Sequence, residues 1–229
     1  MDIGKSFGYV FEDENWVTKV LIGGVVNLVP ILNFAATGYE LQVLKKVAAA
    51  EERPLPEWRD FGNLFVKGLL VTIAGLIYAI PLLLLVGVTA LLSALSSTGA
   101  SAGTSSGDAL AAILAIFAFA MGFLAVVYGL LIALWLPAAT VNYALLGDFG
   151  AFFRLGEIWS FVSGNLGGYI VALVVFGLAS IIAGLVGGLL CFVGTAFTGF
   201  WAMLVFAHLF GQLAHGSRAA AANPPALAI

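Results

Sequence analysis

Charge is concentrated in two stretches of this chain. Among nine Lys and Arg and twelve Asp and Glu in 229 residues, Asp2, Lys5, Glu12, Asp13, Glu14 and Lys19 fall in residues 1–19. Glu40, Lys45, Lys46, Glu51, Glu52, Arg53, Glu57, Arg59, Asp60 and Lys67 fall in residues 40–67. Elsewhere there are only Asp108, Asp148, Arg154, Glu157 and Arg218. The runs between them are long enough to cross a bilayer, since one span takes about 20 apolar residues. A water-soluble domain has about a quarter of its residues charged. Here 9% are charged and 62% hydrophobic, too little polar surface to coat a soluble fold. The fold class expected is all-α: a polytopic helical membrane bundle. A net charge of −3 gives no basic footprint for nucleic acid. The single cysteine, Cys191, excludes an internal disulfide and any multi-cysteine metal site.

The uncharged runs predict about five to six membrane segments in successive hairpins. Residues 20–39 form one length. Residues 68–107 are two lengths long, with a Gly/Ser/Thr/Ala loop expected over 96–107. Residues 109–147 read as a long helix carrying Pro137, and residues 158–217 as two spans turning near Gly187, Gly188 and Gly194. Residues 1–217 are read as a single transmembrane domain and 218–229 as a C-terminal tail. Residues 1–16 are read as an interfacial segment, because Ile3, Phe7, Val10 and Phe11 share one helical face. No basic region followed at once by an apolar core opens the chain, so no signal peptide is predicted.

A short pattern recurs. Acidic residues and a tryptophan precede an apolar run at Glu12-Asp13-Glu14-Asn15-Trp16, at Glu57-Trp58 and at Glu157-Ile158-Trp159. Tryptophan suits the headgroup level and acids suit a helix N-terminus. Equivalent blocks would lie on one membrane face. Placing that face in the cytoplasm, with both termini, puts every Lys and Arg inside and none in the outer loop. The first hairpin is then short, because residues 17–47 are too few for two full spans at about 1.5 Å per residue. It must be re-entrant or half-length and turn near Pro30, between Asn27 and Asn33. The alternative is one Pro-kinked span with the N-terminus outside.

Trp16-x-x-Lys19-x-x-x-Gly23, Gly38-Tyr39, Leu55-Pro56-Glu57-Trp58-x-Asp60, Gly68-Leu69 and Tyr78-x-x-Pro81 together resemble the domain of unknown function 4013 family, small multi-span membrane proteins of prokaryotes. The resemblance implies a prokaryotic inner-membrane protein and supplies no catalytic residues.

No chemical motif rises above chance. Gly99-Ala100-Ser101-Ala102-Gly103 matches a nucleophile-elbow pattern but sits in low-complexity sequence without the strand-to-helix turn such a motif needs. His208, Gln212 and His215 share a helical face, which makes His208 the one candidate for holding a cofactor, although a histidine near the end of a span is more often a hydrogen-bonded core residue. No cofactor and no metal site are expected. Glu40 is the acid nearest an apolar run and the one candidate for a functional polar residue, either ion-paired with Lys67 or Arg154 or desolvated as a coupling group. Ser180-x-x-x-Gly184-x-x-x-Gly188 and Gly164-x-x-x-Gly168 are small-residue stripes suited to close helix contact. Trp16, Pro30, Trp58 and Trp159 complete the structural candidates. Trp58 and Phe61 are expected to share the buried face of a short interfacial helix. The function expected is non-enzymatic: an accessory, assembly or scaffold protein. Its partners would be membrane lipids and, beyond them, other membrane-protein subunits or a second copy. The alternative is a small transporter or channel for a neutral or lipid-like solute.

Overall fold

The computed structural model describes residues 1–101, 103–190 and 193–222. Eight helices carry the described chain: α1 (Ile3–Gly8), α2 (Trp16–Leu28), α3 (Asn33–Ala48), α4 (Phe61–Ala100), α5 (Ser105–Leu146), α6 (Leu155–Gly164), α7 (Leu166–Leu189) and α8 (Val193–Ala222). Short 3₁₀ turns, Tyr9–Glu12 and Phe149–Phe153, join α1 to α2 and α5 to α6. No strand occurs among the described residues. Four helices are long and apolar enough to cross a membrane: α4, α5, α7 and α8 over Val193–Arg218. The chain separates into two compact units, Met1–Thr72 with Pro137–Ile229, and Ile73–Leu136.

In the first unit α8 is the central helix. It is apolar over most of its length, and Phe200, Leu204, Val205, Ala207, Leu209 and Phe210 are buried. A helix whose apolar side chains point in most directions is stable only when neighbours cover them. The neighbours are α2, α3 and α7. Glycines set their distances: a Cβ on Gly23 or Gly24 would overlap the rings of Phe200 and Phe197, and one on Gly211 would meet Val47 and Leu44. The paired levels fix the directions. Gly23 meets Phe200 and Asn27 donates to the Ala196 carbonyl at 2.9 Å, so α2 runs antiparallel to α8. Tyr39 meets Phe200 and His215 meets the Ala48 carbonyl, so α3 runs parallel to it. Gly38 lies on the Leu64 carbonyl and Gly68 on the Phe34 carbonyl, so the first turns of α4 run antiparallel to α3. Asn165 reaches Ser217 and Thr198 reaches the Ala183 carbonyl, so α7 is antiparallel to α8. The N-termini of α2, α4 and α7, each preceded by one of the acidic–tryptophan blocks, therefore share one end of this unit.

α2 and α3 form a hairpin of 13 and 16 residues. The helix breaks over residues 29–32 at Pro30, and Ile31 has φ 74°. A proline cannot continue the ladder, and a non-glycine residue at positive φ marks a tight turn.

The second unit is an antiparallel pair made by the outer parts of α4 and α5. Tyr128 donates to the Tyr78 carbonyl at 3.0 Å, Trp135 Nε1–H to the Tyr78 hydroxyl at 3.3 Å, and Ser96 to the Ala111 carbonyl at 2.8 Å. Most of its large apolar side chains face outward, Leu83 at 63% exposure and Phe119 at 78%. Such surface has lipid as its natural solvent.

Three expectations are corrected. The Gly/Ser/Thr/Ala stretch is not a loop over residues 96–107: α4 continues to Ala100 and α5 starts at Ser105. The hydroxyls of Ser97, Thr98 and Ser101 bond back to carbonyls three or four residues earlier, so these polar side chains are satisfied within the helix. The N-terminal segment does not present Ile3, Phe7, Val10 and Phe11 on a single face. The 3₁₀ turn rotates Val10 into the core and leaves Phe11 exposed, and Phe7 packs on Trp201 at 5.7 Å. No short helix carries Trp58 and Phe61: Pro54 and Pro56 interrupt the helix after α3, Trp58 lies in a turn, and Phe61 opens α4. Of the expected tail at 218–229, residues 218–222 continue α8 and residues 223–229 lie outside the described residues, as do Ala102 of the elbow pattern and Cys191.

Candidate functional site

Lys19, Tyr39 and residues 55–58, motif residues far apart in sequence, converge on one place. Lys19, in the first turn of α2, is 6% exposed. Its ammonium lies 2.8 Å from an Asp13 carboxylate oxygen and 3.0 Å from one of Glu57, and donates to the Leu55 carbonyl at 3.1 Å. All three donors of the ammonium are thereby used. The Lys19 carbonyl accepts from Trp58 Nε1–H at 3.1 Å, and the Trp58 ring stacks on Tyr39 at 4.3 Å. Tyr39 donates its hydroxyl to the Pro56 carbonyl at 2.8 Å. The segment Leu55-Pro56-Glu57-Trp58 is thus clamped across the start of α2 and the middle of α3. Burial pushes the Asp13 carboxyl up, but hydrogen bonds from the Lys19 ammonium and the Asn15 N–H hold it below the ordinary carboxylate range.

A second polar cluster joins α1 to α8. Ser6, fully buried, lies 2.9 Å from His208 Nδ1. Gln212 Nε2 reaches the same nitrogen at 2.8 Å and donates to Ser6 Oγ at 3.1 Å and to the Asp2 carbonyl at 3.0 Å. The His208 ring stacks on Tyr9 at 4.2 Å, and Tyr9 donates to the Leu204 carbonyl at 3.0 Å. His215 is not part of this cluster and faces the Ala48 carbonyl. A cavity of about 440 Å³ opens beside His208, with Lys5, Glu51, Glu52, Gln212 and His215 on its wall.

The other candidates are dispersed. Glu40 is half-buried on α3 and pairs with neither Lys67 nor Arg154; Arg154 binds Asp148 at 3.0 Å and Glu157 at 3.3 Å instead. Trp16 packs edge-on against Phe11 at 4.8 Å. Trp159 is 63% exposed. The small-residue stripes split. Cβ atoms on Gly164, Gly184 and Gly188 would meet open space, and one on Gly168 would meet only the end of Leu213. Ser180 and Gly184 line a cleft with Asn27, Thr195 and Gly199. The close approach of α7 to α8 falls at Gly187, where a Cβ would lie 2.5 Å from the Thr195 Cα.

No group of three or more His, Cys, Asp or Glu suited to a metal ion occurs among the described residues. The sequence did not reveal two features, the Asp13–Lys19–Glu57 triad and the role of α8. The bend before α2 brings Asp13 to Lys19, and helical spacing gives no sign of it.

These features define a class: an all-helical multi-pass membrane protein with a clamped polar segment between its first helices. A family model described as "Protein of unknown function (DUF4013)" matches residues 22–192, and the chain belongs to that family. No curated protein and no solved structure matches the chain.

Proposed function

We propose that this protein is a non-enzymatic accessory, assembly or scaffold component of a prokaryotic inner membrane, with both termini in the cytoplasm. The observation that carries the reading is the use made of its buried polar groups. Lys19, Asp13, Ser6 and His208 are each bonded within the chain, and those bonds tie one segment to another. Polar groups committed in this way specify a shape. The outward apolar side chains of the second unit then offer surface to lipids and to membrane partners.

Affinity purification of the tagged full chain from native membranes, in mild detergent and without crosslinker, tests this. Stoichiometric membrane-protein partners are expected. Recovery of the chain alone, as a monomer or a closed homo-oligomer that conducts a solute after reconstitution, would replace this reading with the small transporter or channel.

A further inference from the structure

A small cavity of about 50 Å³ lies in the first unit where α3, α4 and the end of α5 meet, with Gln42, Lys45, Lys67, Tyr143 and Gly147 on its wall. None of the residues lining it is acidic. Among the described residues, neither lysine lies within ion-pair distance of a carboxylate. Their neighbours differ: Lys46 is paired with Glu51 at 2.8 Å, and Asp148, next to Gly147, is held by Arg154. Tyr143 is 4% exposed, and its hydroxyl has no hydrogen-bond partner among the described residues. The hydroxyl is not sealed inside the protein, so a partner from outside the chain can reach it.

Helix electrostatics account for one lysine only. Lys45 is in the last turn of α3, where the dipole favours a cation. Lys67 stands in the second turn of the apolar helix α4, half-buried, at the end where the dipole opposes it. Its long stem lets the ammonium snorkel toward the polar end of the helix, and the cavity wall it shares with Lys45 offers it no acid. Two cations and a phenol on a wall with no carboxylate form a donor-rich set. A phosphate supplies negative charge and several acceptor oxygens at once. A cavity of about 50 Å³ has room for a small polar group such as a headgroup phosphate and not for the rest of a lipid. Val66 and Leu146, chain neighbours of Lys67 and Gly147, are 53% and 49% exposed, apolar surface on which a glycerol backbone and acyl chains would lie. Basic pockets between membrane helices are where anionic headgroups bind.

We propose that Lys45, Lys67 and Tyr143 form a phosphate site that holds the headgroup of an anionic phospholipid between α3, α4 and α5. Native mass spectrometry of the full chain in detergent, supplied with phosphatidylglycerol or phosphatidylcholine, tests it. The wild type is expected to retain phosphatidylglycerol in preference. Lys45→Gln with Lys67→Gln should lower that retention by about tenfold or more, the scale of one lost charge-assisted bond. Lys45→Arg with Lys67→Arg should restore it, which separates the site from a folding defect. Tyr143→Phe keeps the ring that stacks on Phe152 at 4.5 Å and should weaken retention by a smaller factor. Lipid kept in millimolar inorganic phosphate supports the lipid assignment; lipid displaced by it reassigns the same site to the free anion. Equal retention of both lipids by the wild type, or retention unchanged in the double Gln variant, overturns the proposal.

Discussion

Lys19 is the residue on which the first unit turns. A buried ammonium is costly unless its hydrogens and charge are satisfied, and here two carboxylates and a carbonyl do so. Lys19→Met leaves the Asp13 carboxylate, 8% exposed, buried without its partner. The expected loss is about 3–5 kcal/mol of stability, the range for breaking a buried pair by removing one member, read as a lower melting temperature in detergent. A melting profile like the wild type's would show that the triad adds nothing to the fold. Asp13 also sets an acid limit. Its folded pKa lies below the unfolded value, so the stability it contributes is fully present above the ordinary carboxylate pKa and is lost as pH falls through the folded one. Melting temperature should therefore fall on going below about pH 4, a typical unfolded aspartate value. Asp13→Asn should flatten that part of the profile; an identical acid limb in the variant would place the titration elsewhere. At the same triad Trp58 donates a hydrogen bond and stacks. Trp58→Phe keeps a ring on Tyr39 and loses the bond to the Lys19 carbonyl, a difference of about 1 kcal/mol, whereas Trp58→Ala should cost roughly 3 kcal/mol.

Contact between elements depends on where glycine is required. Gly38 lies on the Leu64 carbonyl and Gly68 on the Phe34 carbonyl, so α3 and the start of α4 touch backbone to backbone. Gly38→Ala must push them apart, at about 1–3 kcal/mol for an overpacked site. Gly62→Ala, where the added carbon meets nothing within 4 Å, is the matched control and should leave melting unchanged or slightly raised. Equal effects of the two substitutions would refute the close contact. The positions of these elements were largely legible in the sequence, because charge placement and Pro30 mark where apolar runs begin and break. Less legible was which small residues matter. The stripe through Ser180, Gly184 and Gly188 has the right spacing, yet Gly184 and Gly188 face open space while Gly187 takes the contact. Spacing shows which residues share a face, and only the partner helix decides which face is used. The Ser/Thr/Gly-rich connection was misread for a related reason. Its composition is that of a loop, but its hydroxyls found carbonyls along the helix. The convergence of Lys45, Lys67 and Tyr143 has no local signature at all, since three helices supply one residue each.

At the scale of the whole molecule, the proposed cytoplasmic N-terminus comes with the expectation, from charge alone, that the connection between α4 and α5, which carries no Lys or Arg, is outside. Ser6 is fully buried against His208 and is unsuitable for labelling, whereas Glu12 and Ser105 are exposed. With Glu12→Cys or Ser105→Cys in a Cys191→Ala background, an impermeant thiol reagent on intact cells should label only position 105. Label at position 12 would reverse the N-terminus and with it the cytoplasmic assignment. The central claim is that the polar residues hold a shape and move nothing, and Glu40 tests it most directly. It is half-buried, lies on α3 and has no ion-pair partner among the described residues, so it is the group a coupled transporter of this fold would use. Proton-driven solute uptake by the reconstituted protein and recovery of its assembled complex should be measured side by side for wild type and Glu40→Gln. No uptake above empty vesicles is expected from either protein, with near-normal recovery of the complex for the variant. Uptake by the wild type that Glu40→Gln abolishes would contradict the claim.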